Sequence, residues 1–344
     1  MDQKIGLFGL GSIGRSIAQF LLDSNHDVVL AVDRDPEKVG ADLGSVVGIE
    51  ELGLEVSEYM DPRIASDCDL VVHSTCSRFR DAFPQLSDIV GAGCNAISTC
   101  EELSYPYLRN PGLSEQLDML ARDRGVTVLG TGVNPGFLLD ALPAFVAKAC
   151  TRVDSFYVSR VVEASFRREP LQRKIGLGMN PEDFASKASQ GSMGHIGLFE
   201  SCALISTAMG WKLEEIKQEI SPIIAGDDIH TDYFEIKGGQ VRGLKQELEG
   251  MAGGTMIRMY LEMSVGTENP GDSVRIEGDP PVDLFIKNGL HGDRATVGRV
   301  VSHIGDVLVA NPGLVTVLDL PTNPHGARTE LVRDTSLTGS GRLL

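Results

Sequence analysis

Near its start the chain runs Lys4-Ile5-Gly6-Leu7-Phe8-Gly9, a short apolar stretch, directly into Gly9-Leu10-Gly11-Ser12-Ile13-Gly14. The apolar stretch reads as a buried parallel strand. A helix is expected from about Ile13 to Asp23, with Ile13, Ile17, Phe20 and Leu21 on one face. Glycines at G-x-G-x-x-G spacing between strand and helix have separate tasks. Gly9 allows the tight turn, Gly11 lets a pyrophosphate approach the backbone, and Gly14 lets helix and strand pack closely. The helix start at Ser12 and Ile13 offers free N–H groups to phosphates. The glycines alone are a weak signal. Asp33 strengthens it, closing a second apolar run (Asp27 to Asp33) 19 residues beyond Gly14, where a ribose-binding acid belongs. Together these features describe a Rossmann dinucleotide-binding domain; the bland alternative is a glycine turn in a nucleotide-free α/β protein.

Asp33 suits both adenosine ribose hydroxyls and repels a 2′-phosphate, which favours NAD. Arg34 follows at once and is able to pair with that phosphate or stack on adenine. NAD or NADP is therefore expected, with NAD slightly favoured.

Further apolar runs alternate with helical stretches. Strands are expected at Asp69–Ser74, Asn95–Thr99 and Thr127–Gly130, with helices near Arg78–Ala92 and Leu113–Arg124. That alternation implies a doubly wound parallel sheet. Counted in that scheme, the three runs are the fourth, fifth and sixth strands. After about Pro143 the rhythm changes. A helix through Ala144–Cys150 precedes strand-like runs at Asp154–Ala164, Tyr233–Ile236, Val241–Met251 and Thr255–Val265, with Gly238-Gly239 reading as a hairpin turn. One helix begins at Asn180-Pro181-Glu182-Asp183, another spans about His195–Met209, and a last one, Ala295–Val309, is expected to return to the first domain. The fold class is thus α/β, with a Rossmann domain at residues 1–142, an α+β substrate and dimerisation domain at 143–294, and a returning helix with an extended tail at 295–344.

With 42% hydrophobic residues the chain can bury a sizeable core without disulfides or metals. Its net charge of −17 argues against nucleic acid, which needs clustered Lys and Arg. Cys68, Cys76, Cys94, Cys100, Cys150 and Cys202 form no C-x-x-C pair and have no His at zinc-site spacing, so no metal is expected and the thiols read as reduced core residues. The N-terminus runs straight into a strand and no apolar stretch reaches spanning length, so neither a signal peptide nor a membrane segment is expected and the location reads as cytoplasmic.

Ligands gather at the carboxyl ends of parallel strands. The loops there carry Ser74-Thr75-Cys76-Ser77, then Ser98-Thr99-Cys100-Glu101-Glu102-Leu103-Ser104-Tyr105-Pro106, then Gly130-Thr131-Gly132-Val133-Asn134-Pro135-Gly136-Phe137. Ser74, Thr75, Thr99, Cys100 and Asn134 are candidate cofactor contacts. A glutamate beside a nicotinamide is able to act as a base toward an amine or alcohol. The bland reading makes Glu101 and Glu102 first-turn acids of a helix. Asn134 is either an orienting group for nicotinamide or substrate, or a turn-former before Pro135. Phe137 is either a pocket wall or a first-turn core aromatic. Arg167-Arg168-Glu169-Pro170-Leu171-Gln172-Arg173-Lys174 is locally basic, either an anion-binding segment or a solvated loop, and His195 is either a substrate contact or a capping or core histidine.

The segments STCEELSYP, GTGVNPGFLLD, VVEASFRREPLQRKIGLG, GHIGLFES and NPGLVTVLDLP resemble the 2,4-diaminopentanoate dehydrogenases and the related native amine dehydrogenases. The resemblance runs from the glycine turn to Pro321, with EE-x-x-YP and GTGVNPGF its most specific parts. It implies a fold like dihydrodipicolinate reductase, a homodimer, and NAD(P)-dependent oxidative deamination of an amine, reversed as reductive amination of a carbonyl with ammonia. It also implies a catalytic glutamate in EE-x-x-YP, placed at Glu102 with Glu101 as second choice. A substrate pocket of Asn134, Phe137, Arg168 and His195 is expected. The closest rival, dihydrodipicolinate reductase itself, has a paired His-His that this chain lacks, and homoserine dehydrogenases place a lysine where Glu102 stands. A dinucleotide-binding redox sensor would need no carboxylate in the cleft.

Overall fold

A computed structural model describes residues 3–61 and 67–322. The extended tail expected at the C-terminus lies outside the described residues.

The first sheet has six strands, all parallel, in the order β14-β5-β4-β3-β1-β2. The strands are β1 (Lys4–Phe8), β2 (Asp27–Val32), β3 (Leu70–His73), β4 (Asn95–Ser98), β5 (Thr127–Gly130) and β14 (Gly313–Val315). Alternate residues of each strand supply two cores. Ile5, Leu7, Leu70, Val72 and Leu129 face one side, packing with Ile17 and Leu21 of α1 (Ser12–Asp23). Phe8, Val71 and Val128 face the other, against Phe79, Leu86 and Ile89 of α3 (Phe79–Gly91) and Leu117 of α4 (Pro111–Arg124). Each such fully buried aliphatic side chain contributes about 1.5–3 kcal/mol, so both faces of the sheet are stabilised by burial. The short α2 (Leu43–Val47) sits between β2 and β3.

Strand counting needs one correction. The strand assumed between Asp33 and Asp69 is reduced to a single parallel bridge, Val32 to Ser57, so the three ligand-side loops follow the third, fourth and fifth strands. The sixth strand, β14, comes from the C-terminal stretch and pairs with β5. Its three residues are too few to show a period.

The second sheet is mixed, in the order β13-β12-β6-β11-β10-β7. β6 (Arg152–Glu163) and β11 (Thr255–Ser264) run parallel, and the pairs with β7 (Leu213–Ile224), β10 (Val241–Ala252), β12 (Gly271–Asp279) and β13 (Val282–Lys287) are antiparallel. Phe156, Val158, Leu248, Met259, Leu261 and Ile276 line one face beneath Leu198, Cys202 and Ile205 of α8 (Leu198–Ala208) and Ala147 of α5 (Ala141–Ala147).

Three of these strands, β7, β12 and β13, were not anticipated, because charged residues on the open face break up their apolar alternation. Gly238-Gly239 does form a turn, but it joins β9 (Glu235–Ile236), which pairs with β8 (Ile229–His230), to a strand of the larger sheet. The true hairpin is β10–β11, turning at Gly253 and Gly254 with φ of 57° and 77°. Helix α5 starts at Ala141, three residues before expectation, because the Asp140 carboxylate caps the Ala141 N–H. The basic segment, read as either anion-binding or a solvated loop, includes a helix, α6 (Glu169–Lys174), followed by α7 (Pro181–Ser189). The last helix divides at His303 into α9 (Gly292–Ser302) and α10 (Ile304–Val309), whose Val297, Val300, Ile304 and Val307 join the core beside α1.

Cys68, Cys94, Cys100 and Cys202 are buried, and Cys76 and Cys150 half-buried. Among the described residues no helix is long and apolar enough to cross a membrane.

Candidate functional site

β1 has β2 on one side and β3 on the other, so the chain winds in opposite directions from it and a crevice opens at the strand ends. There the first domain faces α6 and the end of β6, and a cleft of about 400 Å³ lies between them.

The glycine turn forms one wall. Gly9 has φ 99°, and a Cβ there would fall 2.7 Å from the Ser74 carbonyl oxygen. A Cβ on Gly14 would fall 1.9 Å from the Gly9 oxygen, so close packing demands glycine at both. A Cβ on Gly11 would meet nothing within 4 Å. That open space beside the start of α1, whose N-terminal N–H groups have no side-chain cap, fits a pyrophosphate. Ser12 and Ile13 line the same wall. Ser74 Oγ donates to the Gly9 oxygen at 2.8 Å and ties the β3 loop to the turn.

Asp33 stands at the end of β2, its Oδ2 accepting from Leu10 N at 2.6 Å and its Oδ1 from Asp35 N at 2.8 Å. Lys38, unremarked in the sequence, places Nζ 3.3 Å from Asp33 and 3.0 Å from Asp35. Arg34 is exposed and lines a neighbouring depression with Phe8, Glu58 and Tyr59 rather than the cleft itself.

Thr75 and Thr99 line the cleft. Thr75 Oγ1 lies 2.9 Å from His73 Nε2 and donates to Gln85 Oε1 at 2.8 Å. Burial brings His73 down to about 4, so its ring is neutral near pH 7. Cys100 departs from expectation. It is fully buried in the core with Phe79 and Leu103, its thiol pushed up by burial, and it does not line the cleft.

The two glutamates share a short 3₁₀ turn (Glu101–Ser104) and diverge. Glu101 lines the cleft. Burial raises its pKa; its own backbone N–H, Lys174 and Ser77 oppose the rise, and Glu102 adds to it. Glu102 is buried away from the cleft, with Oε2 accepting from Phe79 N at 2.9 Å and Oε1 lying 3.7 Å from Arg109 Nη1.

Asn134 lines the cleft, and among the described residues neither atom of its buried amide has a hydrogen-bond partner; the same holds for Thr131 Oγ1. Unpaired buried amides are costly, so this one points to a ligand that pairs it. His195 Nε2 donates to the Asn134 carbonyl at 3.0 Å, and the His195 backbone is clasped by Gln246 through bonds of 2.8 and 2.9 Å. Burial lowers His195 to about 4, so it is a neutral cleft residue. Phe137 does not line the cleft; the Arg299 guanidinium sits 4.9 Å over its ring.

The far wall is cationic. Arg167 and Arg168 straddle Asp293 at 3.3 and 3.2 Å, and buried Arg160 pairs with Asp272 at 3.0 Å. Lys174 joins them with no ion-pair partner among the described residues. Arg160 escaped sequence reading because it sits inside a strand run that reads as core. The cleft thus sets Glu101 across from a basic wall in which Asp293 pairs with Arg167 and Arg168, with the glycine turn between them.

Comparisons with known proteins find relatives over nearly the whole chain. Residues 137–335 match the family described as 2,4-diaminopentanoate dehydrogenase C-terminal domain. Residues 4–83 match the family described as NADP oxidoreductase coenzyme F420-dependent. The chain is 31% identical to 2,4-diaminopentanoate dehydrogenase of Acetoanaerobium sticklandii, over 92% of this chain and 93% of that protein. It is 23% identical to an amine dehydrogenase of Streptomyces virginiae, over 92% and 96%. An amine dehydrogenase structure from Mycobacterium smegmatis superposes with a TM-score of 0.82 at 25% identity, covering 93% of this chain and 96% of that one.

Proposed function

Since this chain belongs to the 2,4-diaminopentanoate dehydrogenase family, we propose that it interconverts an amine with a carbonyl compound and ammonia, that Glu101 is its proton acceptor, and that its substrate carries a carboxylate. It is an oxidoreductase acting on amines with an NAD(P)-binding fold. The observation that carries the assignment of roles is that Glu101 alone of the adjacent pair lines the cleft shared by the glycine turn and Asn134.

The turn at Gly11, Ser12 and Ile13 would hold the pyrophosphate, Asp33 the adenosine ribose, and the Asn134 amide the nicotinamide carboxamide, donor to acceptor on both sides. Asp33 favours NAD, while Arg34 and Lys38 leave NADP usable. When bound, the nicotinamide supplies a hydride acceptor, or a donor in the reverse direction.

An aliphatic amine is an ammonium ion near neutral pH, and a carbon bearing N–H₃⁺ has no lone pair beside it to support hydride loss. Glu101 takes that proton and passes it to solvent through the cleft, which restores its charge before water attacks. The iminium that forms on the substrate is stabilised by the same carboxylate. Glu101 then accepts a proton from the attacking water and returns it as ammonia leaves. A carboxyl whose pKa burial has raised suits both roles, because it exchanges protons closer to neutrality.

Lys174, Arg168 and Arg167 are positioned to receive the substrate carboxylate, with Leu171, Val162 and Met263 against its carbon chain. A homodimer completes the proposal. The second sheet has α5 and α8 on one face, while the other carries Phe285 at 57% and Tyr157 at 39% exposure, a surface suited to a second copy. Light scattering in solution checks it. The activity is tested by measuring NADH and NADPH oxidation with carbonyl compounds with and without ammonium.

A further inference from the structure

Behind the cleft, two carboxylates from opposite domains converge on one guanidinium. Glu200, in the first turn of α8, is 1% exposed, and neither of its carboxyl oxygens makes a hydrogen bond among the described residues. Arg109 Nη1 lies 4.0 Å from Glu200 Oε1 and 3.7 Å from Glu102 Oε1. The guanidinium is held in place over the Phe199 ring at 5.0 Å. Helix α8 packs directly on the 3₁₀ turn that carries Glu101, and Thr207 Oγ1 of α8 donates to Tyr105 Oη just beyond that turn.

We propose that Glu200 is a positioning residue for the reaction, which with Arg109 and Glu102 locks the Glu101 turn against the second domain and sets the electrostatic field in which Glu101 exchanges its proton. This rests on Glu101 being the base. One cation faces two buried carboxyls, and like charges so placed are not both ionised without cost. Burial pushes Glu200 up to about 7; its own backbone N–H and Arg109 oppose the rise, and Glu102 and Glu101 add to it. Facing the cluster are Glu101 and Glu102 from the turn and Arg109 from the loop beyond it; on the cleft side of Glu101 stand Lys174 from α6 and Cys76 and Ser77 from the β3 loop. Glu102 and Glu200 therefore share one cation, and a change of charge at any member of the cluster alters the field at the turn that carries Glu101.

The test is the pH dependence of kcat for amine oxidation at saturating substrate, in the wild type, Glu200→Gln, Arg109→Gln and Glu101→Gln. Glu200→Gln removes the negative charge that Glu200 gains near pH 7, so the limb there should move to lower pH and become a single ionisation. Arg109→Gln removes the compensating cation, so the limb should move to higher pH. Each shift is expected to be about half a pH unit or more, the effect of a unit charge within roughly 20 Å at an effective dielectric near 20. If Arg109→Gln does not fold, Arg109→Lys keeps the charge and should keep the wild-type midpoint. Lower kcat with unmoved midpoints, or shifts of the same sign, would overturn the proposal and leave Glu200 a structural residue. Retained turnover in Glu101→Gln would instead overturn the assignment of the base.

Discussion

Glu101 and Glu102 are neighbours in sequence and face opposite sides of one turn: Glu101 lines the cleft, while Glu102 accepts the Phe79 N–H at 2.9 Å and faces Arg109. Their substitution should therefore give different defects. Glu101→Gln is expected to keep dinucleotide binding, read by nicotinamide fluorescence, and to lose at least about 100-fold in kcat. Glu102→Gln keeps an acceptor for Phe79 N and leaves the cleft carboxylate in place, so turnover should persist with its acid limb moved to lower pH and a lower melting temperature. The reverse pattern would return the role of base to Glu102.

That divergence marks where the sequence stopped being legible. The glycine turn, Asp33 and the period-two strands could be read directly, because strand, turn and helix leave short-range patterns. Which of two adjacent carboxylates faces a cleft depends on a single 3₁₀ turn, and no period of 3.6 or 2 reports its phase. Arg160 and Asp293 were hidden for another reason: each is assigned to the cleft by pairing across long stretches of chain. The strands β7 and β13 carry charges on an open face, so their apolar halves alone were too sparse to declare them. Cys100 shares a loop with cleft residues, yet its side chain belongs to the core.

Gly11 and Gly14 should separate fold from binding. Gly11→Ala adds a methyl to open space, so the melting temperature should stay near wild type while NAD(P)H affinity falls about tenfold or more. Gly14→Ala drives a Cβ to 1.9 Å from the Gly9 oxygen, so it should lower stability as well as binding. Thermal melts with and without NADH check both; equal melting loss in the two variants would contradict the reading of Gly11.

The cationic wall makes a substrate-specific prediction. Lys174→Met should raise KM for a substrate bearing a carboxylate by about tenfold, roughly 1.4 kcal/mol, beyond any effect on simple alkyl amines, while the lost charge beside Glu101 shifts the pH dependence of both alike. Lys174 is the clean choice because Arg167 and Arg168 also hold Asp293, so their removal disturbs a neighbour. Equal changes for both substrate types would remove the carboxylate from the account.

Glu200 also carries a stability signature. Its folded carboxyl is raised from 4.5 to about 7, so the folded state binds the proton more tightly than the unfolded one. Stability from this group is present below about pH 4.5 and is lost as pH rises through about 7, on the order of 3 kcal/mol in all. Glu200→Gln should flatten the denaturation midpoint across that window. An unchanged slope in urea titrations at pH 4.5 and 7.5 would show that the buried carboxyl is not proton-linked.

The most direct test of the central claim is initial-rate NADH and NADPH oxidation with a panel of ketones, aldehydes and amino-acid-derived carbonyl compounds, each with and without ammonium at mildly alkaline pH. Amine chemistry at Glu101 predicts oxidation that requires carbonyl and ammonium together, fastest with a carbonyl bearing a carboxylate, and abolished in Glu101→Gln. Reduction that proceeds at full rate without ammonium would contradict it.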